Sequence, residues 1–355
     1  MNSRQLLSVF DERRDQQRDL VLATVYETAG STYSKSGAQM LIDDEGNFQG
    51  MLSGGCLEGD LAERAATVLT SGEAQAISFN LGGSDDDLWG LGVGCDGVMR
   101  IFLQRLNKAN DYEPFAAAAD ILRGDLPGAL ATIIQSKHAA IRPGAALALL
   151  SGESRGVDIP APLAEVLHQP LQRALEKKQT SLRQLEWQGD KIDVLFAYLP
   201  PPPRVLVLGG GLDAQPLVRL IAELGWRVTV QDHRKAYIAN GDFRTAEHVC
   251  CFPADELASA LDLNRFSAAI VMSHHLVTDR SYLAALAGTG IPYIGLLGPP
   301  ARRARLLDDL QDNKKALENR LHGPAGLDIG GRGPASIAVS IVAEMHRELT
   351  ADGAA

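Results

Sequence analysis

The chain reads as an α/β protein in which an N-terminal mixed α+β domain precedes a domain built on a doubly wound parallel sheet. Three observations predict this. Four consecutive prolines at 200–203, in LPPPPR, remove backbone donors and impose extended geometry, which marks a stiff linker. Directly behind them, RVLVLGGGLDAQPLVRLIAELGWRVTVQDHR reads as strand, glycine turn, helix and strand, the unit from which parallel sheets are built. The length of 355 residues also exceeds what one hydrophobic core usually organises. The expected division is residues 1–199, a linker over 200–203, and residues 204–355.

In the first part, VLATVYE, AQMLID and FQGMLS read as strands, with DEGN at 44–47 as a hairpin turn. A helix follows Gly55, because Leu57, Leu61, Ala65, Val68 and Leu69 recur at helical spacing. Further strands are expected at AQAISF, VMRIFLQ, GALATII, AALALL, SLRQLEW and DVLFAYL, and helices over 115–123 and 163–177. In the second part, strands recur at HVCCF, AAIVMS and PYIGLLG between helical runs, the alternation of a Rossmann-like sheet. No internal repeat is visible.

Lys and Arg number 34 against 44 Asp and Glu, and the resulting net charge of −10 repels phosphate backbones and anionic lipid surfaces. Neither nucleic acid nor a membrane is an expected partner. One local basic patch remains, ARRAR at 301–305, although most such runs are solvated helix faces. The start, MNSRQLLSVFDERRD, turns charged after a short apolar stretch, so it resembles neither a signal peptide nor a membrane span, and a cytoplasmic location is expected. Four cysteines, two of them adjacent at Cys250 and Cys251, make no disulfide framework, and no CxxC pair has zinc-site spacing. Cys250 and Cys251 lie in an apolar strand and are expected in the core.

The candidate chemistry gathers in four places. In SGGCLEGD, Cys56 follows Gly54 and Gly55 and opens a helix whose dipole favours a thiolate, with Glu58 just behind. In GLGVGCDG, Cys95 sits in a second glycine-rich loop. Two such thiols in one domain point to thiol chemistry, metal contact or sulfur handling, with tight loop packing as the competing reading. ETAGSTYSKSGAQM offers hydroxyls at Ser31, Thr32, Ser34 and Ser36 and a point charge at Lys35, a combination suited to an anion or a polar heterocycle, with a plain polar loop between strands as the competing reading. In GGGLDA, Gly209, Gly211 and Ala214 form a G-x-G-x-x-A turn between strand and helix, suited to a pyrophosphate at the helix amides, with close packing of helix on sheet as the competing reading. Asp232 ends the next strand, about where an acidic residue binds a ribose hydroxyl in such folds. His274 and His275 close the strand AAIVMS, at a strand end, where ligands bind in open parallel sheets, with Asp279 after them.

The order of these motifs, GST with GAQM, SGGCLEGDL, GCDG, VLGGGLDAQPL, VQDHR, SHHLVTD, YIGLLGPPARRARLL and HGPAGLDIGGRGPASIAVSIVAE, resembles the XdhC/CoxF family of molybdoenzyme maturation factors over nearly the whole chain. SGGCLE and PAGLDIG carry most of that resemblance. It departs from the family where Leu212 or Asp213 replaces a histidine, where Asp96 follows Cys95, and where Ala335 and Ser336 follow Pro334. The resemblance implies an accessory protein, dimeric, that binds molybdenum cofactor as molybdopterin or its dinucleotide. Such a protein assists sulfuration with a cysteine desulfurase and delivers the cofactor to a xanthine dehydrogenase-type enzyme. On this reading Cys56 and Cys95 approach the molybdenum, a soft centre suited to thiolate, while the 31–35 loop holds the polar part. The Rossmann-like domain then suits a nucleotide. The second reading rests on that domain alone: an NAD(P)-dependent oxidoreductase with His274 as acid or base and Asp232 selecting the cofactor.

Overall fold

The chain changes architecture inside its proline run. The computed structural model describes residues 3–81 and 97–350 and separates into two units, residues 1–201 and 202–355. The first unit is mixed α and β, and the second is a doubly wound Rossmann sheet.

The first unit runs α1 (Ser3–Asp15), β1 (Leu20–Ala29), β2 (Gln39–Asp43), β3 (Phe48–Gln49), α2 (Glu58–Ser71), β4 (Gln75–Asn80) and β5 (Val98–Leu106). It continues with α3 (Phe115–Arg123), β6 (Gly128–Ser136), β7 (Ala146–Leu150), β8 (Glu153–Val157), α4 (Ala161–Lys177), β9 (Ser181–Trp187) and β10 (Asp190–Leu199). Among the described residues these strands form two antiparallel sheets, ordered β3-β2-β1-β5-β4 and β8-β7-β6-β10-β9. Each half is helix, three strands, helix, two strands, wound in one order. The expectation of no internal repeat is thus corrected at the level of topology: the winding recurs although the residues do not.

Helices α1 and α3 fill the space between the sheets, with Leu6, Phe10, Phe115 and Ile121 packed against Leu22 and Leu41 of one sheet and Leu130 and Ala148 of the other. The outer faces are covered separately. Leu61, Ala65 and Val68 of α2, at positions i, i+4 and i+7, bury against Val21, Ala23 and Ile101, and Leu163, Leu167 and Leu171 of α4 bury against Ile133 and Val194. Each buried leucine contributes about 1.5–3 kcal/mol. Helix α2 stops at Gly72, whose left-handed conformation lets its amide reach the Val68 carbonyl. The strand expected over FQGMLS is only Phe48–Gln49, because the chain turns at once into the loop carrying Cys56. Strand β8 was not legible because it is exposed and polar along nearly its whole length.

The second unit runs β11 (Arg204–Leu208), α5 (Ala214–Glu223), β12 (Arg227–Gln231), α6 (Lys235–Asn240), β13 (His248–Cys250), α7 (Leu257–Ala260) and β14 (Ala268–Val271). It closes with α8 (Leu276–Ala287), β15 (Tyr293–Leu296), α9 (Pro300–Asp309), α10 (Lys314–Leu317), β16 (Leu321–His322) and α11 (Pro334–Thr350). The sheet is parallel throughout, ordered β13-β12-β11-β14-β15-β16. Strands such as β11 read as unbroken apolar runs because helices cover both faces. Leu217 and Ile221 of α5 and Ile341 and Met345 of α11 cover one face. Tyr282 and Leu286 of α8 and Leu306 of α9 cover the other. The winding reverses between β11 and β14, which places the ligand crevice of this fold at the carboxyl ends of those two strands.

Cys250 and Cys251 depart from expectation. Among the described residues strand β13 is the edge of the sheet, paired with β12 alone, so Cys250 is half-buried and Cys251 exposed rather than both in the core. Among the described residues, no helix is long and apolar enough to cross a membrane.

Candidate functional site

In the first unit the loop over 50–57 is organised by one carboxylate. Glu58, the first residue of α2, is buried, and five donors converge on it. Its Oε1 accepts from the amides of Leu52 and Ser53, both at 2.9 Å. Its Oε2 accepts from the Ser53 hydroxyl at 2.5 Å and from the amides of Gly55 and Leu57 at 3.0 and 3.2 Å. Burial opposes ionisation, but the Ser53 hydroxyl and the Ser53 and Leu52 amides outweigh it and hold the Glu58 pKa below its ordinary value. A chain that folds back onto the next helical residue in this way needs left-handed conformations, and Gly54 and Gly55 supply them at φ of 80° and 107°. The result is an exposed glycine pair with the half-buried thiol of Cys56 directly behind it.

The hydroxyl-rich loop over 30–36 lies against this turn. The Ser34 hydroxyl donates to the Met51 carbonyl at 3.3 Å, and a Cβ placed on Gly54 would come within 3.4 Å of the Tyr33 ring. The Thr32 hydroxyl donates to the Ser34 carbonyl at 2.9 Å, fixing the loop, while Ser31 and Lys35 are exposed. The loop carrying Ser31, Thr32 and Lys35 therefore touches the turn of Gly54, Gly55 and Cys56 through Tyr33 and Ser34. Glu58 is placed among them but spends its carboxylate on the loop itself. Cys95 lies outside the described residues. Among those described, no group of three or more His, Cys, Asp or Glu is placed to hold a metal ion.

In the second unit the glycine turn, Asp232 and His274 meet at the switch point. Gly209 has φ of 128°, and a Cβ there would come within 2.5 Å of the Met272 carbonyl oxygen, so only glycine lets β11 and the end of β14 approach so closely. Across that contact His274, itself left-handed at φ of 60°, points its Nε2 at Asp213 Oδ2, 2.7 Å away. Asp213 immediately precedes α5 and Ala214, beside Gly211. Asp232 is fully buried: its Oδ2 accepts from the Gly210 amide at 2.7 Å, and its remaining acceptor positions are taken by Arg234. Burial again opposes ionisation, and the Arg234 side chain and the Gly210 amide overcome it, so the Asp232 pKa falls below its ordinary value.

His275 and Asp279 do not join this cluster. The His275 Nδ1 lies 2.9 Å from the Thr278 hydroxyl, while Asp279 accepts from the Ser273 hydroxyl and from Arg302 at 2.6 Å. The basic run at 301–305 is accordingly less solvated than expected, since Arg302 is committed to Asp279 and Arg303 donates to the Leu321 and Glu318 carbonyls. Farther along, the PAGLDIG segment is fixed by α11: Glu344 accepts from the Tyr293 hydroxyl and the Gly326 amide, both at 2.7 Å. Asp213, Arg234 and Glu344 are thus site-shaping residues that motif reading passed over. For Arg234 a signal existed, because it stands two places after the acidic residue in QDHR.

Residues 205–345 match the family model of the XdhC Rossmann domain, and residues 13–80 match that of the XdhC and CoxI family. The chain is 31% identical over 340 residues to a Bacillus subtilis (strain 168) protein described as a probable xanthine dehydrogenase subunit, covering 95% of this chain and 96% of that one. It is 23% identical over 327 residues to the molybdenum cofactor insertion chaperone PaoD of Escherichia coli (strain K12), covering 92% and 82%. A crystal structure from Bacillus halodurans, described as that of a xanthine dehydrogenase, matches with a TM-score of 0.77 at 25% identity and covers 97% of this chain and 96% of its own. On these matches, spread over both units, the chain belongs to the XdhC and CoxI family.

Proposed function

We propose that the chain is a molybdenum cofactor chaperone: it binds the cofactor, assists its sulfuration, and inserts it into a molybdoenzyme of the xanthine dehydrogenase type. One observation carries the reading, the Glu58-held turn that presents Cys56 and two exposed glycines beside the hydroxyl and lysine loop. The donor set fits the cargo. Exposed glycine backbone, the Ser31 hydroxyl and the Lys35 ammonium suit a phosphate and a polar pterin, and a thiol suits the soft, sulfur-ligated metal end. Family membership and the E. coli insertion chaperone among the relatives support the same reading. In this account the cargo is molybdopterin or its dinucleotide form, a cysteine desulfurase supplies the sulfur, and the protein works as a homodimer in the cytoplasm. Cys95 is the second thiol toward the metal, and the switch point of the second unit takes a nucleotide.

The test is transfer. Chain loaded with cofactor in the presence of a cysteine desulfurase is mixed with cofactor-free xanthine dehydrogenase-type enzyme, and the appearance of activity is compared with that from free cofactor. Faster or more complete activation supports the chaperone.

A second reading, an NAD(P)-dependent oxidoreductase, is favoured by one observation, the Asp213-oriented imidazole of His274 at the switch point. Equal activation with and without the chain, together with substrate-dependent NAD(P)H turnover, supports that reading instead.

A further inference from the structure

In a dinucleotide-binding sheet of this winding, the end of the second strand meets the 2′ position of the adenosine ribose. Here that strand is β12, and the residue at its end is Asp232. An ionised carboxylate offers about four acceptor positions. All four are filled: the Gly210 amide at 2.7 Å, and from Arg234 the backbone amide at 2.8 Å, Nε at 2.9 Å and Nη2 at 2.7 Å. The side chain has no exposed surface. A ribose diol therefore finds no acceptor on Asp232 unless the bidentate Arg234 pair is broken first.

What the corner presents outward is positive. The Arg234 guanidinium lies 3.6 Å over the Tyr237 ring, which fixes its plane, and its side chain keeps 28% of its surface in solvent. Nη1 has no partner among the described residues. His233 and Lys235 flank it and are both exposed, with His233 Nδ1 3.5 Å from Asp232 Oδ1. Three nitrogen-bearing side chains thus follow one buried carboxylate in sequence, two of them against it, in a chain whose net charge is −10. Planar guanidinium with a free edge is the group suited to phosphate oxygens.

The geometry points to a 2′-phosphorylated adenine dinucleotide, NADP(H) in class, as the ligand of the second unit, with Arg234 as the residue that selects it over ligands bearing a free 2′,3′-diol. The inference goes beyond cofactor delivery by the first unit and stands or falls separately from it. It excludes NAD(H) and the nucleotide of a dinucleotide cofactor as preferred occupants, since both carry the unphosphorylated diol. Asp232 acts as a positioning residue here: it aims the guanidinium and, through the Gly210 amide, ties that corner to the glycine turn.

Isothermal titration of the full chain with NADP+, NAD+ and adenosine 2′,5′-bisphosphate tests it. The expected result is NADP+ binding about tenfold or more tighter than NAD+, with the bisphosphate binding measurably by itself. Arg234→Met is expected to erase the preference by weakening NADP+ while NAD+ stays within about twofold. Because that variant strands a buried carboxylate, Lys235→Glu at an exposed position gives a second reading, a loss of about threefold or more for NADP+ alone. NAD+ binding as tightly as NADP+, or a preference untouched in both variants, overturns the assignment. Failure of all three probes to bind overturns the nucleotide site itself and leaves cofactor delivery by the first unit standing.

Discussion

Glu58 holds the amide of Gly55 at 3.0 Å across the turn that contains Cys56, so the position of the thiol is set by a carboxylate two residues beyond it. Glu58→Ala leaves buried donors on Leu52, Ser53 and Leu57 without their acceptor. The expected cost is about 2–4 kcal/mol of stability, read by denaturant unfolding. Glu58→Gln faces one donor against others and is expected to cost about 1–3 kcal/mol. In a background with Cys95, Cys250 and Cys251 changed to serine, both variants should raise the rate at which Cys56 reacts with a thiol reagent, as the loop opens.

Glu58 and Asp232 both have folded-state pKa values below those of an unfolded chain. Each therefore contributes stability that is fully present above the unfolded value, about 4, and is lost as pH falls through the lower folded value. Melting temperature should be insensitive to these two groups between about pH 5 and 7 and drop below about pH 4. Glu58→Gln should flatten the acid limb of the first unit's transition and Asp232→Asn that of the second, in differential scanning calorimetry.

The two glycines on either side of the thiol, Gly55 and Gly59, should respond oppositely to alanine. Gly55 has φ of 107° with no atom within 4 Å of an added Cβ, so Gly55→Ala meets backbone strain alone, about 1–2 kcal/mol of destabilisation. Gly59 lies inside α2 with equally open space and no such conformation. Gly59→Ala should gain about 0.5 kcal/mol. Thermal unfolding of the pair separates loop strain from the helix preference for alanine, since neither added Cβ is crowded.

The Asp213 carboxylate stands at the start of α5, where helix amides would otherwise meet a ligand's pyrophosphate, and His274 is its partner at 2.7 Å. Removing the carboxylate charge in Asp213→Asn should raise affinity for an anionic dinucleotide about fivefold, and His274→Ala, which leaves the charge unpartnered, should lower it by a similar factor. Calorimetric titration of both variants with NADP+ checks the opposite signs.

The Rossmann half was readable because its signals are local. A proline run, an apolar strand, three glycines and an amphipathic helix follow one another up to residue 223, and each obeys its own short-range rule. The strands of the first unit other than β8 were readable one by one, but its doubled winding was not, because pairing order lies in long-range contacts. The connection carrying Cys56 in one half is replaced in the other by three residues, 158–160, so no residue pattern repeats. Cys250 and Cys251 misled for a similar reason: an apolar strand looks alike at the edge of a sheet and at its centre. At the candidate sites the motif residues were visible and their partners were not. Cys56 and Asp232 stand out by type and spacing, whereas Glu58 as a loop clamp and Asp213 as the partner of His274 emerge only once the turns are closed.

The most direct test of the central claim is retention of molybdenum cofactor by the purified chain in ultrafiltration, wild type against Cys56→Ala. The account predicts that wild type holds the cofactor and that Cys56→Ala loses about tenfold or more in affinity while melting at an unchanged temperature. Equal retention by the two proteins would contradict it and reduce the Cys56 thiol to a packing residue in a tight turn.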